Sequence, residues 1–350
     1  MNKLTKVGLS ALCGSLAAVS SANAGAMTVS GSATATYQSN SGATTGNPIG
    51  MNSGLTFTGS GELDGGQSFK YTITNADQAA FSAGSMSLTT NMLGTWRIGM
   101  ADGGSGIDAK DDVMPSAWEE VDGTGMTVGQ DKISGVGASM NVQWKSPTLI
   151  GTNLVLAYSP KNDGATANDK GSTGSTGSDK NQYGYDVLLD MNVNNAFYLP
   201  NVFVGGSATH REGDFKGSAD GGIVSQNDDV YEAVAGFVWK VGPLSAGLQR
   251  SYENPADKSD GVTEYYANTA WGVSFNVNDS LSLSYGEHKS HRSITNNIEA
   301  VVSDAKSIQV AYTIGGVALK LAESEVDNAQ YVSDGAGDLE GRTIAMSLAF

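Results

Sequence analysis

The chain has 350 residues, a formal net charge of −16, 46 glycines and one cysteine. The acidic balance leaves no basic footprint for nucleic acid, and the lone Cys13 excludes an intrachain disulfide. No window after residue 24 approaches the ~20 apolar residues of a spanning helix.

The chain is therefore soluble, or it crosses a membrane as a closed β-barrel. Barrel strands alternate, so they average out as only mildly apolar. The first 24 residues favour export. Lys3 and Lys6 form a basic start, Val7 to Val19 an apolar stretch, and Ala22-Asn23-Ala24 a small-residue ending. This predicts a secretory signal peptide over 1–24, cleaved after Ala24. Cys13 lies inside it. Its removal takes two lysines and no acids, so the mature charge becomes −18.

From there the chain alternates. Met27, Val29, Ala33, Ala35 and Tyr37 share one face of the first segment, and Thr28, Ser30, Ser32, Thr34 and Thr36 the other. Similar period-two segments cover 51–62, 66–76, 84–91, 94–101, 135–145, 152–159, 183–193 and 201–211. They continue through 229–241, 244–252, 262–276, 279–289, 305–314, 317–326 and 341–350. About sixteen strands are expected. Their connections sort by parity. Long polar ones fall at 38–50, 102–134, 160–182, 212–228, 253–261, 290–304 and 327–340, with a shorter one at 77–83. Between them fall short ones such as Gly242-Pro243 and Gly315-Gly316. Short turns at one end and long loops at the other mark an outer-membrane barrel.

The second face is polar in nearly every strand, as with Gly137, Ser139, Asn141, Gln143 and Lys145 opposite Val136, Ala138, Met140, Val142 and Trp144. A soluble sheet would turn an apolar face inward. A water-filled barrel in lipid turns it outward. Aromatics such as Trp96, Trp144, Trp239 and Phe350 sit near segment ends, as interfacial girdles require. Arg250 and Arg342 break the outward pattern. The last ten residues, GRTIAMSLAF, alternate to the final atom. Chain ends usually fray. In a closed barrel this strand instead pairs with the first, near Met27–Tyr37.

The mature chain, 25–350, resembles the general porins of alphaproteobacteria, the Rhodobacter-type sixteen-stranded trimeric porins. Two local features carry the resemblance. One is the terminal strand ending in Phe350, which in that family is read by the outer-membrane assembly machinery. The other is GTWRIGMADGGSGIDAKDDVMPSAWEEVDG, which looks like their strand and third loop. The resemblance implies an all-β transmembrane antiparallel barrel in which 102–134 folds inward as a constriction loop. It also implies a homotrimer. The small outward residues Val29, Gly31, Ala33 and Ala35 fit close protein contact.

The loop is acid-rich and carries its own apolar anchors, Met114, Pro115, Trp118 and Val121. Loops beyond ~12–15 residues in compact domains are usually functional or disordered. Lys70, Arg97, Lys145, Lys240 and Lys320 fall on the inward parity of the wall. The expected constriction sets Asp108, Asp111, Asp112, Glu119 and Glu120 against Arg97, Lys70 and Lys320, giving mild cation preference. No cofactor is expected. The loop acids have the oxygen chemistry to bind Ca²⁺, without EF-hand spacing. His210, His288 and His291 stand in no Ser/His/Asp or Asp/His arrangement, so no enzyme is expected.

The expected function is passive diffusion of ions and small hydrophilic solutes through a Gram-negative outer membrane. The alternatives are a substrate-specific nutrient channel and a structural or adhesive barrel without an open pore.

Overall fold

The computed structural model describes residues 25–41, 46–77, 82–100, 102–162, 181–192, 199–211, 214–216, 223–225, 229–255, 262–295 and 298–350. The predicted signal peptide, 1–24, and most of the 160–182 connection lie outside them. Eighteen strands are described. They are β1 (Met27–Ser41), β2 (Ile49–Glu62), β3 (Ser68–Ala76), β4 (Ala83–Thr90), β5 (Gly94–Met100) and β6 (Met140–Lys145). Next come β7 (Thr152–Ser159), β8 (Asn181–Met191), β9 (Asn201–Arg211), β10 (Asp214–Lys216), β11 (Ile223–Ser225) and β12 (Val230–Val241). The last six are β13 (Leu244–Asn254), β14 (Thr263–Asn276), β15 (Leu281–Ile294), β16 (Ile298–Ile314), β17 (Val317–Asp327) and β18 (Leu339–Ala349). β10 and β11 form a separate two-stranded hairpin. The other sixteen close into one barrel, each paired with its neighbours in sequence order. No helix among the described residues is long and apolar enough to cross a membrane.

Closure is made by the terminal strand. β18 pairs with β1 from Ser32↔Ala349 to Ser41↔Glu340. Gly31 and Phe350 exchange backbone hydrogen bonds of 2.7 and 3.0 Å. Every backbone group in the seam is thus satisfied within the sheet, which a bilayer demands.

Among the described residues, the short connections are true hairpins. Val241 pairs with Leu244 across Gly242-Pro243, and Gly242 has φ +56°. Glycine first and proline second suit a type II′ turn, whose twist matches the strands. At the opposite end one predicted loop shrinks and another grows. The 290–304 connection is mostly strand, because β15 runs to Ile294 and β16 starts at Ile298. There Val301 opposes Arg292 and Val302 opposes His291, so the alternation simply continues. The 135–145 segment shrinks instead. Only Met140–Lys145 is strand, and 135–139 belongs to the preceding loop.

The parity rule sets the faces. Ile308, Leu319 and Met346 are exposed on the outside, while Ser290, Ser303 and Ala345 are fully buried inside. One predicted regularity fails. On β7, β8, β9 and β12 the inward face carries buried Val155, Leu188, Phe203 and Val234 among its polar residues. An inward apolar group needs a cover, and the long loop between β5 and β6 supplies it.

Candidate functional site

That loop, 102–139, is tied by its own backbone amides to carboxylates of the barrel strands. Asp186 on β8 accepts N–H bonds from Ile107 at 3.0 Å and from Val136 at 3.2 Å. Glu232 on β12 accepts from Ser134 at 2.7 Å and from Gly135 at 2.9 Å. Two wall carboxylates therefore hold both ends of the loop. Carboxylate–amide bonds are charge-assisted and stronger than neutral ones. Between them Ile107, Met114 and Ile133 pack on Val155, Leu188, Phe203 and Val234.

The middle of the loop continues around the wall. Trp118 and Glu119 donate backbone N–H bonds to Gln309 Oε1 on β16 at 3.1 Å, and Gln309 Nε2 returns one to the Glu119 carbonyl at 2.7 Å. Thr124 shares a 2.7 Å hydroxyl bond with Ser324 on β17. Gln130 donates to the carbonyls of His288 and Ser303 at 2.8 Å. Gln38 on β1 donates to the Gly125 carbonyl. A second apolar cluster joins Val121, Met126 and Val128 to Ala305, Val326 and Ala329.

Three glycines make room for it. Gly247, Gly272 and Gly286 are directly opposite one another on β13, β14 and β15, all on the inner face. A Cβ at Gly272 would lie 2.5 Å from the Pro115 carbonyl oxygen, and one at Gly286 2.9 Å from Val121. Real Cβ atoms do not approach so closely, so the row is a seat for the loop. The inner faces of β2, β3 and β4 carry none of these hydrogen bonds. They present hydroxyls, including Thr58, Thr72 and Ser87, and Lys70.

The loop's charges are largely engaged with one another. The Lys132 ammonium lies 2.7 Å from Asp122, 3.5 Å from Asp112 and 3.9 Å from Glu120. Those carboxylates are close enough to one another to hold a metal ion. Lys132 already occupies the cation position. Burial raises the Asp108 carboxyl to about 7, helped by Asp111, Glu232 and Asp186 nearby. Asp111 is raised to about 6, again by burial, with Lys132 opposing. Burial also raises Glu119. Glu120 is pushed up by burial and by a hydrogen bond with Asp112. The surrounding carboxylates raise Lys132.

The predicted constriction residues thus separate into groups. Asp111, Asp112, Glu119 and Glu120 gather around Lys132. Asp108 is buried against the wall, 8% exposed. Arg97 pairs with Asp102 and Ser105 at the root of the loop. Lys320 lies over the Trp118 ring, 5.7 Å from its centroid. Lys70 stands on β3, away from the cluster's hydrogen bonds. The sequence alone assigned no role in the site to Asp186, Glu232, Gln309, Lys132 or the glycine row. The inward apolar residues and the inward glycines were the available signal.

A closed antiparallel barrel of sixteen strands, apolar outside and polar or loop-covered inside, defines a membrane channel protein. The family comparison makes this specific. Residues 8–200 match the Gram-negative porin family, and the chain belongs to it. It is an outer-membrane channel for passive diffusion. No curated protein matches it. Its fold is similar to the anion-selective porin from Comamonas acidovorans, at 14% identity, a TM-score of 0.64, and 93% of this chain over 99% of that one. It is equally similar to Salmonella typhi OmpF, at 10% identity and TM-score 0.64, covering 93% of this chain and 97% of that one. The trimer form of Vibrio cholerae OmpT matches at 10% identity and TM-score 0.63, over 93% and 100% of the two chains.

Proposed function

We propose that the 102–134 loop folds into the lumen and narrows a general diffusion pathway for ions and small hydrophilic solutes. The observation that carries this is its anchoring to inward side chains from β8 around to β1. The free passage then runs between the loop and the hydroxyl wall of β2–β4, with Lys70 on the wall and Asp112 the most exposed acid of the cluster. Hydroxyls hydrate without selecting charge, so the acids set a mild cation preference. A reversal potential under a salt gradient in a planar bilayer is expected to report cations, and clear anion selectivity would reject the reading. Solute-specific saturable block would favour a nutrient channel, and failure of liposomes to swell in small sugars a closed structural barrel.

The preference should depend on pH. Asp111 titrates near 6, so selectivity is full above about 7 and falls as pH drops through 6. Docking follows the opposite sense. Asp108 is raised to about 7, so its uncharged form is the one the buried seat favours. That contribution is complete below the unfolded carboxylate value near ~4 and is lost as pH rises through about 7. Open-channel noise and nicking of the loop by protease should both be lower at pH 5 than at pH 8.

The finer affiliation, with the sixteen-stranded porins of alphaproteobacteria, rests on the third loop and terminal strand. The same resemblance supports a homotrimer, cleavage of the 1–24 signal peptide, and reading of Phe350 by the assembly machinery. The β1–β5 exterior carries no charged side chain among the described residues and is flat at Gly31, Ala33 and Ala35, which suits close subunit contact. Deleting Phe350 removes its two backbone bonds to Gly31. Outer-membrane yield should fall far more than after deletion of an ordinary terminal residue. Unchanged yield in a heat-modifiability gel would remove Phe350 from that role. The acidic cluster is a poor Ca²⁺ site while Lys132 fills it.

A further inference from the structure

The inner wall is not the only part of the chain that grips the 102–139 loop. The connection between β17 and β18, 328–338, turns inward and closes on residues 128–131. Gln330 donates its backbone N–H to the Val128 carbonyl at 2.7 Å. The Tyr331 hydroxyl accepts the Asp131 N–H at 2.8 Å and shares a 2.6 Å hydrogen bond with Ser290 on β15. Because the phenol oxygen accepts from Asp131, its own proton is free to go to Ser290. Ala329 is buried in one cluster with Val121, Met126 and Val128.

The backbone of this segment takes an uncommon shape to do so. Asn328, Gln330 and Tyr331 all have φ between +54° and +59°. Asparagine tolerates that region, whereas glutamine and tyrosine adopt it at a cost. Left-handed residues other than glycine persist where their surroundings over-determine them. Two sets of contacts do this. At the base, Asn328 Nδ2 donates to the Val302 carbonyl on β16 at 2.9 Å, and the Asn328 N–H goes to Asp338 at 3.1 Å. The Ala329 N–H goes to the Gly337 carbonyl at 2.7 Å. At the tip, the bonds to Val128, Asp131 and Ser290 are joined by ring contacts. The Tyr331 ring lies 5.4 Å from that of Tyr266, and the Arg292 guanidinium 5.6 Å from the Tyr331 ring.

Asp131 adjoins Lys132, the cation around which the loop acids gather. A group that fixes the Asp131 amide therefore fixes the root of the Lys132 side chain. We propose that Tyr331 is a positioning residue for the pore: the 328–331 tip clasps the 102–139 loop and sets where Lys132 and its acids stand. This deepens the constriction reading and rests on it. The clasp is neutral. Burial raises the Tyr331 phenol to about 12, so it keeps its proton wherever the loop acids titrate. The loop's carboxylate contacts change with pH, and this one does not.

A cross-link tests the clasp. A Cβ added at Gly129 would lie 3.5 Å from the Gln330 Cβ, within the span of a disulfide. The one natural cysteine, Cys13, falls in the predicted signal peptide. Gly129→Cys/Gln330→Cys should therefore oxidise within one chain, and the bridged channel should be less noisy than its reduced form. Tyr331→Phe keeps the ring and removes the hydroxyl. Its loop should open roughly fivefold more often, the change expected of one lost hydrogen bond, read as open-channel noise and protease nicking. The increase should be the same at pH 5 and pH 8, and the bridge should suppress it in the Y331F background. Failure of the bridge to form overturns the proposal, as does Y331F noise that low pH reverses or that never rises. Gly272→Val, which pushes the loop off the wall, separates the two readings. If it lowers conductance while Y331F changes nothing, the clasp alone is wrong. If it too changes nothing, the constriction reading falls and the clasp with it.

Discussion

Replacing Gly272 by valine is expected to lower single-channel conductance while leaving the barrel folded. The Cβ alone would lie 2.5 Å from the Pro115 carbonyl oxygen, which is backbone and cannot swing aside. Gly247 and Gly286 flank it in the same row, so the loop has no neighbouring space to take. It must lift from the β13–β15 wall toward the hydroxyl wall opposite. Overpacking of this kind costs roughly 1–3 kcal/mol. The barrel ladder is untouched, since the glycine's own N–H and C=O remain paired. Alanine should give a smaller drop than valine. An unchanged conductance for G272V would mean that the loop does not border the passage.

Replacing Lys132 by methionine should loosen the loop and sharpen the dependence on pH. The ammonium stands within 4 Å of Asp112, Glu120 and Asp122, and nothing else in that cluster carries positive charge. Removing one partner from a fully buried ion cluster costs ~3–5 kcal/mol, and an exposed pair is worth ~0–1. Lys132 is a quarter exposed, so a loss of roughly 1–3 kcal/mol in docking is expected. Channel noise and protease nicking at pH 8 should rise, and lowering the pH should reverse both as the carboxylates take up protons. A lysine-free cluster could then accept a divalent cation. Addition of Ca²⁺ to K132M, but not to the parent, should quiet the channel. Indifference to both substitution and pH would leave Lys132 a surface residue of no consequence.

These expectations depend on features the sequence exposes unevenly. The barrel was legible because period-two alternation and alternating connection lengths are local properties, written in each strand. The closing seam was legible for the same reason, since GRTIAMSLAF keeps its alternation to Phe350. The acidity of the loop and its apolar anchors Met114, Pro115, Trp118 and Val121 were also visible. Its seat was not. Val155, Leu188, Phe203 and Val234 come from four strands, and each by itself looks like a lapse in alternation. Only pairing in register places them under Ile107 and Ile133. Gly247, Gly272 and Gly286 are likewise unremarkable in a chain with 46 glycines until the ladder aligns them.

The charges divide in the same way. The sequence by itself determined their number, their sign, and which parity of which strand they occupy. It therefore determined an acidic, alternating, outer-membrane barrel with an acid-rich third loop. Only the tertiary structure decided which charges meet. It turned Arg97 to Asp102, gathered three loop acids on Lys132, and linked Lys289, Asp304, Lys306 and Asp327 across the outside of β15–β17. The physical reason is range. Alternation follows from pleat geometry over a few residues, whereas ion pairs, close approaches and wall contacts follow from strand register and loop path over distances of hundreds of residues.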